Sequence, residues 1–478
     1  MLNAPASNAE ASTRPPLAVD LDGTLIRCDL FTEAMIRLGF EKPWLLPALA
    51  GWLMRGRAHA KARLAGVFPP HPEALPYDDR LVAWIREERA DGRTIALATA
   101  SDEHAARAIA SHLDCFDAVF ASDGETNLKS QRKADALATA YPQGFTYAGN
   151  ESADIKVWRA AASAVVVNAS GSLTRRAERN FSVERTFAPE HGALRGLLKA
   201  MRPQQWAKNL LVFVPMLAGH GWLNMEAWRH AFLAFFALSF VASGLYLVND
   251  LSDISADRQH PRKKRRPFAS GAASPVLGVA ALLALLAGGF AIGAASGALV
   301  PLIFYGTTSA LYTFVLKRVT LLDVFTLAGL YTWRIVLGGV ATGFLASDWL
   351  LAFSVFFFFS LALVKRAAEV DVMRADLIGR GYRASDGAML KRMSVGAGMM
   401  SALVLALYLQ EPARQLYRAP EFLWALPAAV LFWLSRVWIK LDRGEMHDDP
   451  LAFALKDRTS WAVGALVVAA FAAAVIAR

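Results

Sequence analysis

Apolar and polar positions divide the chain into two unlike stretches. Up to about residue 200, short apolar runs of strand length alternate with segments of helical period. Three runs, at 17–19, 94–98 and 145–148, read as buried strands. Strands alternating with helices predict a doubly wound α/β domain with its site at the strand ends. The insertion between Cys28 and Asp91 reads as mostly helical and predicts a small cap over that site. Its run at 44–54 is too short to span a bilayer, and reads either as cap core or as a surface lying on the membrane. Residues 1–13 read as a disordered leader, 14–190 as the α/β domain with its cap at about 28–90, and 191–206 as a linker entering the membrane. The charges across 175–200 give that region the look of a connection between the halves.

From 207 to 478 the pattern changes to apolar runs of span length. About nine candidate spans can be drawn, at 207–222, 229–249, 276–295, 297–316, 320–343, 349–365, 394–410, 421–439 and 460–477. The fold class is therefore multi-domain: a Rossmann-like α/β domain, then an all-α polytopic membrane domain. Loops after the even spans carry about twenty Lys and Arg, and those after the odd spans about three. This bias places the even loops and the soluble half in the cytoplasm, on a bacterial-type inner membrane. The net charge of +10 gathers in those loops, which points to membrane orientation and phosphate binding, with no nucleic acid as partner. Cys28 and Cys115 stand far apart and indicate neither a disulfide framework nor a zinc site. No basic segment followed by an apolar one opens the chain, so no secretory signal is read.

The second apolar run ends in Asn249-Asp250-Leu251-Ser252-Asp253-Ile254-Ser255-Ala256-Asp257. On a helix, Asp250, Asp253 and Asp257 share one face with Asn249 at its edge. Three carboxylates so placed repel unless a cation lies between them, and hard oxygen ligands suit Mg²⁺ together with substrate phosphates. The plain alternative is a solvated acidic helix end. The run His260-Pro261-Arg262-Lys263-Lys264-Arg265-Arg266-Pro267 follows, offering phosphate donors or serving as an ordinary basic flank. NDxxDxxxD followed by HPxxKxxRP resembles the UbiA superfamily of membrane prenyltransferases, most of all its branch that makes polyprenyl-phosphoryl phosphoribose. Arg202-Pro203-x-Gln205-Trp206-x-Lys208-Asn209, Tyr312-x-x-x-Leu316-Lys317-Arg318 and Asp323 extend the likeness over about 200–478. It implies that Asp250, Asp253 and Asp257 hold Mg²⁺ on a departing diphosphate. Arg202, Lys208, Asn209, Asn249, Lys263, Arg266, Tyr312, Lys317, Arg334 and Lys365 are the expected substrate contacts. Arg334 lies within a span and calls for a carboxylate or phosphate partner, or a neighbouring acid. Lys365, Arg366, Glu369, Asp371 and Asp376 lack the second DxxxD usual for aromatic acceptors, since the two aspartates stand five apart. His447-Asp448-Asp449 reads as a site cover or a solvated loop, and Gly338-Gly339 and the phenylalanines 356–359 read as packing features.

In the soluble half, the first strand runs into Asp20-Leu21-Asp22-Gly23-Thr24. This DxDGT resembles the first motif of the haloacid dehalogenase (HAD) superfamily, and later motifs follow in order. The likeness implies Asp20 as nucleophile on phosphorus, Asp22 as general acid and base, Thr99 as phosphate contact and Lys133 as balancing cation, with Lys129 its rival. Asp20, Asp22, Asn150 and Asp154 are the expected Mg²⁺ ligands; the family has Asp where Asn150 stands, which removes one negative charge.

The favoured reading is a membrane transferase moving phosphoribose from phosphoribosyl pyrophosphate to a polyprenyl phosphate, with the HAD-like half dephosphorylating the product. The rival enzyme is a prenyltransferase passing a polyprenyl group from its diphosphate to an aromatic or other acceptor. A third class is a membrane-anchored regulatory protein with an inactive HAD-like half. Partners follow from these readings: a polyprenyl lipid, a diphosphate-bearing donor and membrane lipid, with homo-oligomerisation left open.

Overall fold

The computed structural model describes residues 14–190, 192–373, 381–410, 412–446 and 449–476. The leader at 1–13, Asp376 and His447-Asp448 lie outside the described residues. The chain forms two compact units: Met1–Arg202 with Tyr246–Leu282, and Pro203–Leu245 with Leu283–Arg478.

The first unit is built on six parallel strands: β1 (Leu17–Val19), β2 (Ile95–Asp102), β3 (Ala118–Ser122), β4 (Thr146–Gly149), β5 (Ser163–Val167) and β6 (Val183–Phe187). Their order is β3-β2-β1-β4-β5-β6. Alternation along β1 explains the three layers. Leu17 and Val19 join a core with Leu81, Ile85 and Ile109 from helices on one face. Ala18 faces the other side, where Ala96, Ala98 and Ala164 leave room for Leu137, Val157 and Trp158. Val19 stands opposite Leu97 on β2 and Ala148 on β4. β1 and β4 therefore end within one residue of each other, while β2 runs on to Asp102, which carries Thr99 and Ser101 past the end of β1 at the same edge of the sheet.

The 175–200 region is not merely a connection. It contains β6, which pairs with β5 at the sheet edge. Glu184, Arg185 and Thr186 are exposed on this strand, and a charged edge strand carries little of the hydrophobic signal of the inner ones. Glu184 and Glu88 hold the guanidinium of Arg93, whose side chain is 1 % exposed, at 2.7 and 2.8 Å.

The cap consists of helices Leu30–Glu41, Leu46–Met54 and Arg57–Val67 around Ala34, Leu38, Leu64 and Phe68. Asp29 caps the first, its Oδ1 accepting from Thr32 N at 2.8 Å. Part of the stretch at 44–54 belongs to the cap core, as one reading expects. Leu45, Leu49 and Trp52 pack on the cap core, whereas Trp44 and Met54 are 69 % and 86 % exposed.

In the second unit, helices Leu322–Thr342, Asp348–Met373, Gly387–Tyr408 and Ala425–Asp442 pack around Ile335, Val364, Leu390, Leu434 and Val437. Among the described residues of the whole chain, seven helices, rather than the nine expected, are long and apolar enough to cross a membrane. The stretch at 297–316 yields the shorter helix Leu299–Phe314. That at 207–222 is a 3₁₀ segment, Pro203–Phe213, followed by the short helix Val214–Ala218. This segment runs along Gly338, where an added Cβ would lie 2.0 Å from Val212 O, so the glycine admits a close backbone approach.

Candidate active sites

This edge of the sheet assembles the first centre. Asp20 leaves β1, and its backbone N–H donates to Ala148 O on β4 at 3.0 Å. Lys133, on helix Gln131–Ala140, reaches Asp20 Oδ1 at 2.6 Å and donates to the Tyr147 hydroxyl at 2.8 Å. Tyr147 in turn donates to Asp154 Oδ1 at 3.0 Å. Asp154 Oδ2 accepts the backbone N–H groups of Asn150 and Glu151 at 2.9 and 2.8 Å, which fixes the turn after β4. Lys133 is therefore the lysine that reaches Asp20, while Lys129 lies near Glu151 at 3.5 Å.

Asp22 Oδ1 accepts from Leu30 N at 3.0 Å, and its Oδ2 accepts from the Ser101 hydroxyl. Burial pushes the carboxyl of Asp20 up to about 7, with Lys133 opposing it and Asp154 adding to it. Burial likewise raises that of Asp22 to about 6, helped by Asp29 and opposed by Ser101. Thr99 is fully buried, its hydroxyl accepting from Ser101 N at 2.9 Å. Gly23 is needed where it stands. Its φ is +76°, and an added Cβ would lie 2.1 Å from Asn150 Nδ2. Asn150 Oδ1 accepts from Thr24 Oγ1 at 3.2 Å, so this side chain braces the DxDGT turn.

The second centre also belongs to the first unit. The acidic run does not form one unbroken helix. Helix Met225–Ser252 ends and helix Ile254–Gln259 begins across Asp253. The backbone bonds Asp253 N to Asn249 O and Asp257 N to Asp253 O, at 3.1 and 2.7 Å, keep the turn near helical spacing. Asp250 is 2 % exposed. Its Oδ1 accepts from Arg202 at 2.6 Å, Arg266 at 3.2 Å and Asn249 at 3.4 Å. Arg266 also reaches Asp257 Oδ2 at 2.8 Å. Burial raises the pKa of Asp257, opposed by Arg266 and reinforced by Asp253 and Asp250. Lys263, by contrast, is exposed on a 3₁₀ turn.

Among the described residues, no three His, Cys, Asp or Glu side chains form a ready metal cage. Asp250 Oδ2, however, is buried with no hydrogen-bond partner. A carboxylate with one oxygen clamped by arginines and the other unpartnered fits a Mg²⁺ ion that takes one or two carboxylates and completes its shell with substrate phosphates.

The second unit gathers basic residues. Lys208 and Lys365 meet at Asp449 Oδ2, at 3.0 and 3.3 Å. Burial alone would raise the carboxyl of Asp449, yet the two lysines hold it down to about 2. Arg334 donates to Asn209 Oδ1 at 3.0 Å, Leu330 O at 2.7 Å and the Tyr305 hydroxyl at 2.9 Å. Its partners are neutral; among the described residues no carboxylate pairs with it, contrary to the neighbouring acid considered from sequence. Asp323 is separated from Tyr312, Lys317 and Arg318 in role: it accepts from the Tyr382 hydroxyl and faces buried Arg366. Tyr312 and Lys317 are half-buried and Arg318 is exposed. Asp371 pairs with Lys391 at 3.0 Å.

Sequence reasoning overlooked Ser101, Tyr147 and the pairing role of Asp449. Ser101 was within reach: it lies two residues beyond Thr99 on β2, hence on the same strand face.

Residues 211–463 match the model of the UbiA prenyltransferase family. An uncharacterized protein of Sinorhizobium fredii, y4nM, is 41% identical over 472 residues, covering 95% of this chain and 90% of its own. A decaprenyl-phosphate phosphoribosyltransferase of Mycobacterium tuberculosis is 35% identical over 205 residues, covering 41% of this chain and 67% of its own. A HAD family hydrolase from Salmonella enterica serovar Typhi resembles the chain with a TM-score of 0.28 at 12% identity, covering 37% of this chain and 69% of its own. The first unit's parallel sheet and DxDGT turn resemble those of HAD proteins, and the apolar helices together with the family match indicate an integral membrane enzyme. With the acidic motif placed as described and the family model matched across more than half its length, the chain belongs to the UbiA prenyltransferase family.

Proposed function

We propose that this enzyme moves a phosphoribosyl group from phosphoribosyl pyrophosphate to a polyprenyl phosphate, and that its HAD-like half then removes the 5-phosphate of the product. The observation that carries the reading is the buried, unpartnered Oδ2 of Asp250 beside arginine-held Oδ1. The similarity to the mycobacterial phosphoribosyltransferase adds to it. Asp250, Asp253 and Asp257 would hold Mg²⁺, which supplies positive charge to a departing pyrophosphate. Arg202 and Arg266 keep Asp250 in its orientation. Lys208, Lys263, Lys317 and Lys365 serve as phosphate contacts, and Asn209, Asn249, Tyr312 and Arg334 position substrate. In the transfer, the bond from ribose C1 to pyrophosphate breaks and one from C1 to the lipid phosphate oxygen forms.

In the HAD-like half, Asp20, Asp22, Asn150 and Asp154 would hold Mg²⁺ beside the phosphate. Asp20 attacks phosphorus, the bond to the ribose 5-oxygen breaks, and Asp22 passes a proton to that oxygen. Water then attacks the aspartyl phosphate, giving a proton to Asp22 and releasing inorganic phosphate. Thr99 and Lys133 support the phosphoryl oxygens and the Asp20 carboxylate.

The lipid products of purified protein, supplied with each donor in turn, test the reading. Phosphoribosyl pyrophosphate with prenyl phosphate should give a ribosyl lipid. Product only from prenyl diphosphate and an aromatic acceptor would establish the rival prenyl transfer.

The charge bias of the loops supports a reading in which both centres face the cytoplasm and the protein resides in the inner membrane. Cysteines introduced at Asn224 and Arg418 should therefore react with an impermeant thiol reagent in sealed cells, and one at Lys264 should stay unlabelled. Labelling of Lys264→Cys would refute the orientation.

A further inference from the structure

A cavity of the first unit is lined jointly by the cap, the end of β2 and the segment that carries the acidic motif. Its lining includes Phe31 and Lys61 from the cap and Ser101 from β2. The opposite wall is formed by Ile254, Ser255 and Arg258, which lie among the carboxylates Asp253 and Asp257 in the chain. Ser101 donates to Asp22, so one lining residue of the cavity is in direct contact with the proposed general acid and base.

The opposite wall is firmly built. Arg258 donates from both terminal nitrogens to the two oxygens of Glu33 on the cap, at 2.8 and 2.6 Å. The two side chains are 8 % and 7 % exposed, and Arg258 Nε donates to Ala269 O at 2.9 Å. A buried pair of this kind holds only while both partners stay in place. Behind it, Gly271 has φ +73°, and an added Cβ would lie 2.3 Å from Arg27 O, so the loop after the acidic motif is seated against backbone next to the cap.

We propose that this cavity is the leaving-group pocket of the phosphatase centre, and that its ligand is the phosphate monoester of a sugar carried on a lipid phosphate. The proposal rests on the reading of the HAD-like half as a phosphatase. Phe31 and Ile254 receive the apolar part of the leaving group. Lys61 donates to Ala100 O at 2.6 Å and, as an ammonium, has donor capacity left for an anionic oxygen such as that of the linking phosphate. Ser255 meets a sugar hydroxyl. The phosphatase pocket is thus completed by the segment that carries the transferase carboxylates, which gives the fusion of the halves a direct physical purpose.

The test uses the full chain in nanodiscs, given either a short-chain prenyl-phosphoryl-ribose 5-phosphate or p-nitrophenyl phosphate. Ser255→Trp, which fills the pocket from the motif side, should lower kcat/KM for the lipid ester at least tenfold relative to that for p-nitrophenyl phosphate. Lys61→Met should lower the same ratio by a similar factor, chiefly through KM. If wild type hydrolyses neither ester, the phosphatase reading itself fails. If wild type hydrolyses both and the ratio stays at the wild-type value in Ser255→Trp, the pocket assignment is overturned. Should Ser255→Trp lose both activities through misfolding, Lys61→Met decides, and an unchanged ratio there overturns the proposal.

Discussion

Asp250→Asn should leave the protein folded and lower transfer of phosphoribose roughly a thousandfold or more, a barrier increase of about 4 kcal/mol. The substitution is nearly isosteric. The amide oxygen can still accept from Arg202 and Arg266, which hold Asp250 Oδ1, so the local fold keeps its clamp. The other position changes in kind. Oδ2, buried and unpartnered, becomes an NH₂ group that offers hydrogens where a cation is to bind. The charge lost at Asp250 also leaves Arg266 paired with Asp257 alone. Asp253→Asn, at the turn between the two helices, should act in the same direction. Transfer rates of the two variants, normalised to folded protein in membranes, check the assignment; near-normal rates in both would remove the acidic run from the chemistry.

Asp20→Asn should change the identity of the product rather than its amount. Supplied with prenyl phosphate and phosphoribosyl pyrophosphate, wild type should accumulate the ribosyl lipid without its 5-phosphate, and Asp20→Asn the phosphorylated form. An amide is too poor a nucleophile to open the phosphoryl step, and loss of the nucleophile should slow dephosphorylation at least a thousandfold. The fold should survive, because an asparagine oxygen still accepts from Lys133, which lies 2.6 Å from Asp20 Oδ1. Mass analysis of the lipid fraction separates the two outcomes. The same product from both proteins would mean that the HAD-like half does not catalyse, as the regulatory reading holds, and would make Asn150 its natural explanation.

The two motifs were legible because each is local in sequence. DxDGT sits at the end of an apolar strand, and the acidic run at the end of an apolar helix, where the pattern puts them, although the break at Asp253 interrupts the single helix that periodicity alone predicts. What escaped depends on distance along the chain or on weak patterning. Lys208 and Lys365 were singled out separately, but their meeting at Asp449 joins three remote stretches. Arg334 was recognised as a buried cation, yet its neutral partners on other elements left no trace in its own span. β6 was hidden by its exposed charges. The stretches at 207–222 and 297–316 have the composition of spans, but the first folds as a 3₁₀ segment and a short helix, and the second gives a helix below spanning length. Hydropathy counts apolar residues and does not see such local geometry. The Glu33–Arg258 pair, 225 residues apart, is invisible to any local rule.

The central claim is that phosphoribosyl pyrophosphate is the donor and a polyprenyl phosphate the acceptor. Its most direct test is to follow release of labelled pyrophosphate from phosphoribosyl pyrophosphate by the purified protein, with and without prenyl phosphate, while ribosyl lipid is counted in parallel. Release should require the lipid, with pyrophosphate and ribosyl lipid appearing in equal amounts. Release from prenyl diphosphate instead, with none from phosphoribosyl pyrophosphate, would contradict the claim.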